Sequence, residues 1–331
     1  MDIKFTDLCL KTPENSTLTQ FAEEIDKGLS LENKRLPSWL IYDNEGSVLF
    51  QEINGLEGYH PTYCETEIFN EHKVDITKSI SSQSFNLIEL GAGDGRKTTI
   101  LLDYFIQKKL DIKYIPIDVS QGAIKNLSNA LKDRYENDAL SFHGLTADYF
   151  QGINWLNENS SQRNLVFFLG SSIGNFDIFS AQRFLKHLRD SLSENDLTLI
   201  GFDLMKNPKL LHSAYNDPKG VFQKFNLHLL DRINEELGGN FDTNKFVQCG
   251  TYNVKSRAVE SFIYSTEEQN VRLNALDKEF HFDLWEGMQT EHSYKYTIPI
   301  IEKLAESSGF EIVNHFFDQN HYFVDSLWKL K

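Results

Sequence analysis

The chain has 331 residues, with 48 Asp or Glu against 33 Lys or Arg and a formal charge of −15. That excess repels nucleic-acid phosphates and anionic membrane surfaces, so no nucleic-acid or membrane partner is expected. With 40% hydrophobic and 24% charged residues it has the composition of a folded globular protein, long enough for one large or two modest domains.

The three cysteines, Cys9, Cys64 and Cys249, lie far apart and form no CxxC pair. The N-terminus has no uninterrupted apolar segment of signal-peptide type. The longest apolar runs, at 165–170 and 197–202, fall far short of the ~20 residues of a membrane span. A reduced, cytoplasmic protein is expected, a monomer in preference to an oligomer.

In chain order, Pro37–Tyr42 leads into turn chemistry at Asp43–Gly46, and residues 66–82 read as a helix. A regular alternation follows. Phe85–Leu90 is a strand, Lys97–Lys108 a helix with Leu101 and Phe105 inward, and Lys113–Ile117 a strand. Gln121–Tyr135 is a helix with Ile124, Leu127 and Leu131 on one face, and Leu140–His143 a short strand. Leu165–Leu169 is an uninterrupted apolar run, as expected of a central parallel strand covered on both faces. Helix Ala181–Ser191 and strand Leu197–Asp203 complete the series.

From Met205 to Tyr296 the pattern changes, with helices at 208–213 and 219–238 and β-like segments at 247–264, 269–275 and 278–285. Gln289–Lys295 is a charged and polar string whose default is a solvated face. Helix Ile298–Ser308 and strands Phe310–Phe317 and Tyr322–Leu330 end the chain. Strands alternating with helices predict a doubly wound, Rossmann-like α/β sheet interrupted by a second α+β domain. The expected division is 64–204 plus 296–331 for the sheet domain and 1–63 plus 205–295 for the other.

The sharpest motif is Glu89-Leu90-Gly91-Ala92-Gly93-Asp94-Gly95-Arg96-Lys97-Thr98, between the first strand of the alternation and its helix. A phosphate-cradling GxxxxGK[ST] loop accounts for Lys97 and Thr98 but needs glycine at Arg96. A dinucleotide GxGxxG loop accounts for Gly91 and Gly93 and fails at the same residue. GxGxG after an acidic residue, the loop of S-adenosylmethionine (SAM)-dependent methyltransferases, fits without mismatch. There the glycines let the backbone approach a cofactor that carries no phosphate. A glycine turn with no ligand is the remaining alternative.

Asp118 ends the next strand, where a carboxylate accepts both ribose hydroxyls, although it would equally cap the helix after it. Asp148 and Tyr149 follow the third strand and suit an adenine amino group and ring, with an ordinary loop aspartate as the alternative. All three features fall at strand C-terminal ends, where an open α/β sheet binds its ligand. The histidines, among them His60, His72, His143 and His187, show neither HxxxH nor HxH spacing, so no metal is expected.

Phe168-Leu169-Gly170-Ser171-Ser172-Ile173-Gly174-Asn175-Phe176 resembles the "LGSTIGNF" signature of the histidine Nα-methyltransferases of ergothioneine biosynthesis, a family that includes fungal dimethylallyltryptophan N-methyltransferases. Gly58–Thr62, Gly201–Leu204, Ala214–Asp217, Phe225-Asn226, Ile233–Gly238, Thr290–Ser293 and Lys295 agree in order and spacing. The similarity runs from about Tyr42 nearly to the end.

The resemblance implies a class I methyltransferase fold with a seven-stranded sheet and a second, substrate-binding domain. It implies SAM as cofactor, S-adenosylhomocysteine as product, and a small amino-acid substrate. Tyr42, Gly91, Gly93, Lys97, Asp118, Asp148 and Tyr149 match positions around SAM. Asn175 and Tyr215 match residues that hold the substrate α-carboxylate, Tyr59 lies by the α-amine, and Gly170 belongs to the substrate side. Glu291 and Ser293 match the block that grips the side chain, an imidazole in the family's histidine enzymes. Tyr59 and Asn175 would orient the amine for attack on the sulfonium methyl.

Three positions depart from the pattern. His60 and Tyr63 replace a tyrosine and an arginine of the "YYPTRTE" block, and Ser261 stands where the histidine enzymes have a methionine lining the pocket. A serine leaves that pocket roomier and more polar. The expected activity is Nα-methylation of L-histidine to trimethylhistidine (hercynine). Methylation of another amino acid or amine such as a tryptophan derivative, and SAM binding without turnover, remain as alternatives.

Overall fold

The structure, a computed structural model, describes residues 2–8, 14–80, 82–136, 140–159 and 162–331, with 14–17 and 157 described through their backbone only. Cys9 lies outside the described residues. The elements begin β1 (Asp2–Asp7), α1 (Glu14–Leu29), α2 (Asn44–Asn54), α3 (His60–Ile80), β2 (Ser84–Leu90), α4 (Thr98–Gln107), β3 (Asp111–Asp118) and α5 (Gln121–Arg134). There follow β4 (Ser141–Thr146), α6 (Tyr149–Asn159), β5 (Asn164–Phe168), α7 (Ile178–Asp190), β6 (Leu197–Asp203), α8 (Pro208–Ala214) and α9 (Val221–Leu237). The chain ends with β7 (Phe246–Asn253), β8 (Ala258–Ser265), β9 (Gln269–Leu273), β10 (Lys278–Phe282), β11 (Gly287–Tyr294), α10 (Ile298–Ser307), β12 (Phe310–Phe317) and β13 (Phe323–Leu330).

The chain divides into two compact units. The first comprises Met1–Cys9, His60–Met205 and Tyr294–Lys331, and the second Leu10–Tyr59 and Lys206–Ser293.

The first unit is built on an eight-stranded sheet in the order β1-β4-β3-β2-β5-β6-β13-β12. Its pairs are parallel from β1 to β6, and β13 runs antiparallel to both β6 and β12. Alternation along the buried strands sends side chains to both faces. Leu87, Tyr114, Phe167 and Leu199 pack under α3, α4 and α5, while Ile88, Ile115, Phe168 and Ile200 pack against α6, α7 and α10. Both faces are therefore covered, which explains the fully apolar run of β5.

Seven of these strands have the expected class I order. The eighth is a correction. Asp2–Asp7 was expected in the second domain but pairs residue for residue with Ser141–Thr146. Its residues are exposed or half-buried, so it carries no apolar run to announce a strand; Phe5 stays 54% exposed.

In the second unit α9 buries Phe222, Phe225, Leu229, Leu230 and Ile233. Beside it lie a three-stranded sheet, β11-β8-β7, and a β10-β9 hairpin. Strand β11 occupies most of the string read as a solvated face. The helix α6, absent from the sequence-based expectation, begins at Tyr149. Among the described residues no helix is long and apolar enough to cross a membrane.

Candidate active site

The strand order reverses between β2 and β5, and ligands of open α/β sheets bind beyond the C-terminal ends of strands at such a point. The loop after β2 has Gly91, Gly93 and Gly95 all at positive φ, at 74°, 54° and 64°. At Gly91 a Cβ would lie 2.9 Å from the Tyr149 hydroxyl, and at Gly95 one would lie 2.4 Å from Leu127. At Gly93 a Cβ would meet nothing within 4 Å. Gly93 is thus the open position, where bare backbone is unobstructed.

Asp118 ends β3 half-buried. Its carboxylate accepts from the Gly93 amide at 3.1 Å and the Ser120 amide at 2.9 Å. The cap of α5 is Ser120, whose hydroxyl accepts from Ala123 N at 3.1 Å, so Asp118 is free of the capping duty the sequence allowed it. Burial pushes its carboxyl above the ordinary range, with the amide bonds working against that shift. The carboxylate keeps lone-pair capacity beyond these backbone amides.

Asp148 does cap a helix. Its Oδ1 accepts from Gln151 N at 2.8 Å, while Gln151 Oε1 accepts from Asp148 N at 3.2 Å. This capping box opens α6 and leaves the Asp148 side chain exposed. Tyr149 packs edge-on against Phe168 at 5.2 Å, and burial, then the Asp118 charge, pushes its phenol up.

Behind the loop, Glu89 is buried and accepts from Thr98 Oγ1 at 2.6 Å and from the Tyr114 hydroxyl. Burial outweighs these donors, and its carboxyl is pushed up to about 7. Lys97 does not point freely into solvent: its ammonium donates to Glu65. Burial opposes that charge, yet the Glu65 carboxylate holds the Lys97 pKa above the ordinary lysine value. Glu65 also accepts from the Gly170 amide, at 2.9 and 3.0 Å.

Gly170 and Ser171 follow β5 in consecutive left-handed conformations, at φ 69° and 59°. A short 3₁₀ turn, Ser172–Asn175, comes next and leaves Asn175 exposed. Asn175 is not the cap of α7. That role belongs to Asp177, which accepts from Phe179 N and Ser180 N at 2.9 Å each.

In the second unit Tyr42, Phe50, Tyr59, Tyr215, Phe222 and Phe225 form one aromatic cluster. Tyr59 meets Phe222 at 5.7 Å and Tyr215 at 6.0 Å, and Tyr42 meets Phe50 and Phe225 at 5.4 Å each. Tyr215 rests on β7 only because Gly250 has no side chain; a Cβ there would lie 2.8 Å from Tyr215 Cβ. Asn216 clamps the same glycine through both its amide N–H and its carbonyl, at 2.8 and 2.9 Å.

Ser261 faces Gly250 across the β7–β8 ladder and is buried. Gln248 reaches both the Ser261 hydroxyl and the Tyr215 carbonyl at 3.4 Å. On β11 the Thr290 hydroxyl donates to Asn226 Oδ1 at 2.6 Å. Glu291 and Ser293, two residues apart and so on one face, are 8% and 7% exposed. The default of a solvated face does not hold there.

The family described as "Histidine-specific methyltransferase, SAM-dependent" matches this chain over residues 21–330. The chain belongs to that family. It is an enzyme, a SAM-dependent N-methyltransferase, as the Gly170–Phe176 block indicated. Histidine N-alpha-methyltransferase of Mycolicibacterium smegmatis is 31% identical over 312 residues, covering 94% of this chain and 93% of that protein. Ergothioneine biosynthesis protein 1 of Neurospora crassa is 31% identical over 301 residues, covering 89% of this chain and 33% of that longer protein. A 4-dimethylallyltryptophan N-methyltransferase of Claviceps purpurea is 30% identical over 203 residues, 58% of each chain.

Within this methyltransferase the residues expected at the site fall in two sets. Gly91, Gly93, Lys97, Asp118, Asp148, Tyr149, Gly170 and Asn175 belong to the sheet unit, and Tyr42, Tyr59, Tyr215, Ser261, Glu291 and Ser293 to the other. Glu65, Gln248 and Asn226 were not singled out from sequence. For Glu65 a signal existed: it is the last residue of the block that begins at Tyr59.

Proposed function

We propose that the protein methylates the α-amine of L-histidine, yielding trimethylhistidine (hercynine) and S-adenosylhomocysteine as an ergothioneine-forming pathway requires. The observation that carries this reading is the near-complete burial of Glu291 and Ser293 on one face of β11. A carboxylate kept from water favours an N–H donor, which an imidazole supplies as an indole also does; the family match turns the choice toward imidazole.

The sheet unit fits the cofactor. Gly93 presents unobstructed backbone and Asp118 a half-buried carboxylate with spare acceptor capacity. Gly91, Lys97, Asp148 and Tyr149 complete this set, and Tyr42 is assigned to the cofactor as well. SAM, when bound, supplies an electrophilic methyl group on a cationic sulfonium. Asn175 and Tyr215 hold the α-carboxylate, and Gly170 shapes the turn that presents Asn175. Tyr59 and Asn175 orient the amine, which must release its proton to attack; water or a carboxylate takes it. The chain's contribution is positioning and exclusion of water, with little acid–base chemistry demanded of it.

Incubation with SAM and an amino-acid panel, read by mass spectrometry, tests this. Histidine gaining one, two and three methyl groups is expected. Gain on tryptophan or another amine with none on histidine overturns the substrate; no gain on any amine leaves a SAM-binding protein. The polar wall of Ser261 and Gln248 favours a wider substrate range as the second reading.

A further inference from the structure

We propose that Glu65 is a positioning residue for methyl transfer, holding the Lys97 ammonium and the Gly170 amide with one carboxylate. The inference rests on the methyltransferase reading above and adds a residue to it.

Glu65 lies on α3, fully buried, over the central strands. The space it fills exists because β6 carries Gly201 there: a Cβ on Gly201 would lie 2.4 Å from Glu65 Oε1. From this slot Glu65 accepts from Lys97, which ends the loop after β2, and from Gly170, which begins the turn after β5. These two loops flank the reversal of strand order. One carboxylate therefore ties the cofactor side of the switch point to the turn that carries Asn175.

The bonds suit that duty. A charge-assisted bond to Gly170 N restrains two successive left-handed residues, of which Ser171 has no glycine freedom. The ammonium is held as well as neutralised: a Cβ on Gly170 would lie 3.2 Å from Lys97 Nζ. A buried ion pair kept only for stability is replaceable by apolar packing. A carboxylate that also accepts a loop amide has a geometric task that apolar packing cannot perform.

The test compares wild type, Glu65→Gln and Gly201→Ala by calorimetry with S-adenosylhomocysteine and by steady-state kinetics. Gln keeps an acceptor for the Gly170 amide but loses the anchor for Lys97. Its S-adenosylhomocysteine affinity and kcat are each expected to fall about tenfold or more, with the KM of the amino acid moving less. Gly201→Ala displaces the carboxylate while leaving every charge in place, and the same two losses are expected. It serves as the deciding variant should Glu65→Gln fail to fold.

Glu65→Gln and Gly201→Ala proteins that unfold cooperatively and keep affinity and kcat within about twofold overturn the inference alone. Wild-type protein that binds no S-adenosylhomocysteine overturns the cofactor reading and this inference with it.

Discussion

The Gly93 amide donates to the Asp118 carboxylate across 3.1 Å, fastening the tip of the glycine loop to the end of the adjacent strand. One side chain thus shapes the glycine loop and, in the proposed reading, supplies acceptors for the ribose of the cofactor. Asp118→Ala removes both, and S-adenosylhomocysteine affinity is expected to fall about a hundredfold or more by calorimetry. Asp118→Asn keeps an acceptor for Gly93 but loses the charge, and an intermediate loss is expected. Equal affinity in all three proteins would contradict the assignment.

The loop glycines separate stability from binding. A Cβ at Gly93 meets no atom, so Gly93→Ala carries only the left-handed backbone penalty, about 1–2 kcal/mol. A Cβ at Gly95 adds a 2.4 Å collision with Leu127 to the same penalty. Thermal unfolding should place Gly95→Ala below Gly93→Ala. Calorimetry with S-adenosylhomocysteine should show Gly93→Ala as the weaker binder per degree of stability lost, because its methyl occupies the approach to bare backbone.

Asp325 on β13 is fully buried and faces the Glu65 carboxylate. Burial, and then the Glu65 charge, pushes its carboxyl well above the ordinary value. The folded state therefore keeps a proton that the unfolded chain releases above about pH 4, and stability falls as pH rises toward the folded pKa. Asn at this position cannot titrate. The melting temperature of Asp325→Asn should exceed that of wild type by more at pH 8 than at pH 5; a gain independent of pH would argue for a charged Asp325.

The second unit contains a pair in which each partner favours the charged form of the other. Asp43 caps α2 through Gly46 N at 2.7 Å and accepts from His228 Nε2 at 2.9 Å. Arg232 faces the same carboxylate, and Glu45 and Asp231 lie within electrostatic reach of the imidazole. Burial opposes the His228 charge, yet the Asp43 bond raises its pKa, while Asp43 is held below its usual value against its own burial. The His228 contribution is present below about pH 6.5 and lost as pH rises through the folded pKa; that of Asp43 is present above about pH 4 and lost as pH falls. The stability advantage of wild type over His228→Gln should peak between these limits and shrink by pH 8.

What was legible in the sequence follows from what each segment buries. Leu165–Leu169 announced itself because both faces of β5 are covered. The β11 segment did not, because its buried positions include Thr290, Glu291 and Ser293, whose burial depends on partners distant in sequence, such as Asn226. Helix α6 was hidden for a related reason: its cap, Asp148, resembled a ligand more than a helix start. Asp118 and Asn175 could each have been caps on sequence alone. In the folded chain Ser120 and Asp177 take those places. Glu65 was the least visible, since its partners Lys97 and Gly170 lie 32 and 105 positions away.

Cofactor and amino-acid recognition should separate by mutation, since the residues proposed for them lie largely in different units. Glu291 stands on β11 of the second unit and Asp118 on β3 of the first. Glu291→Ala is expected to leave S-adenosylhomocysteine affinity within about twofold while raising the KM for histidine about tenfold or more, the usual cost of losing a charged hydrogen bond. Ser261→Met, buried opposite Gly250, takes Gln248 from its hydroxyl partner and fills the side-chain pocket with an apolar group. The ratio of histidine to tryptophan kcat/KM should rise in this variant. A fall in that ratio, with S-adenosylhomocysteine binding intact, would place the side-chain pocket away from β8 and return Ser261 to a packing role.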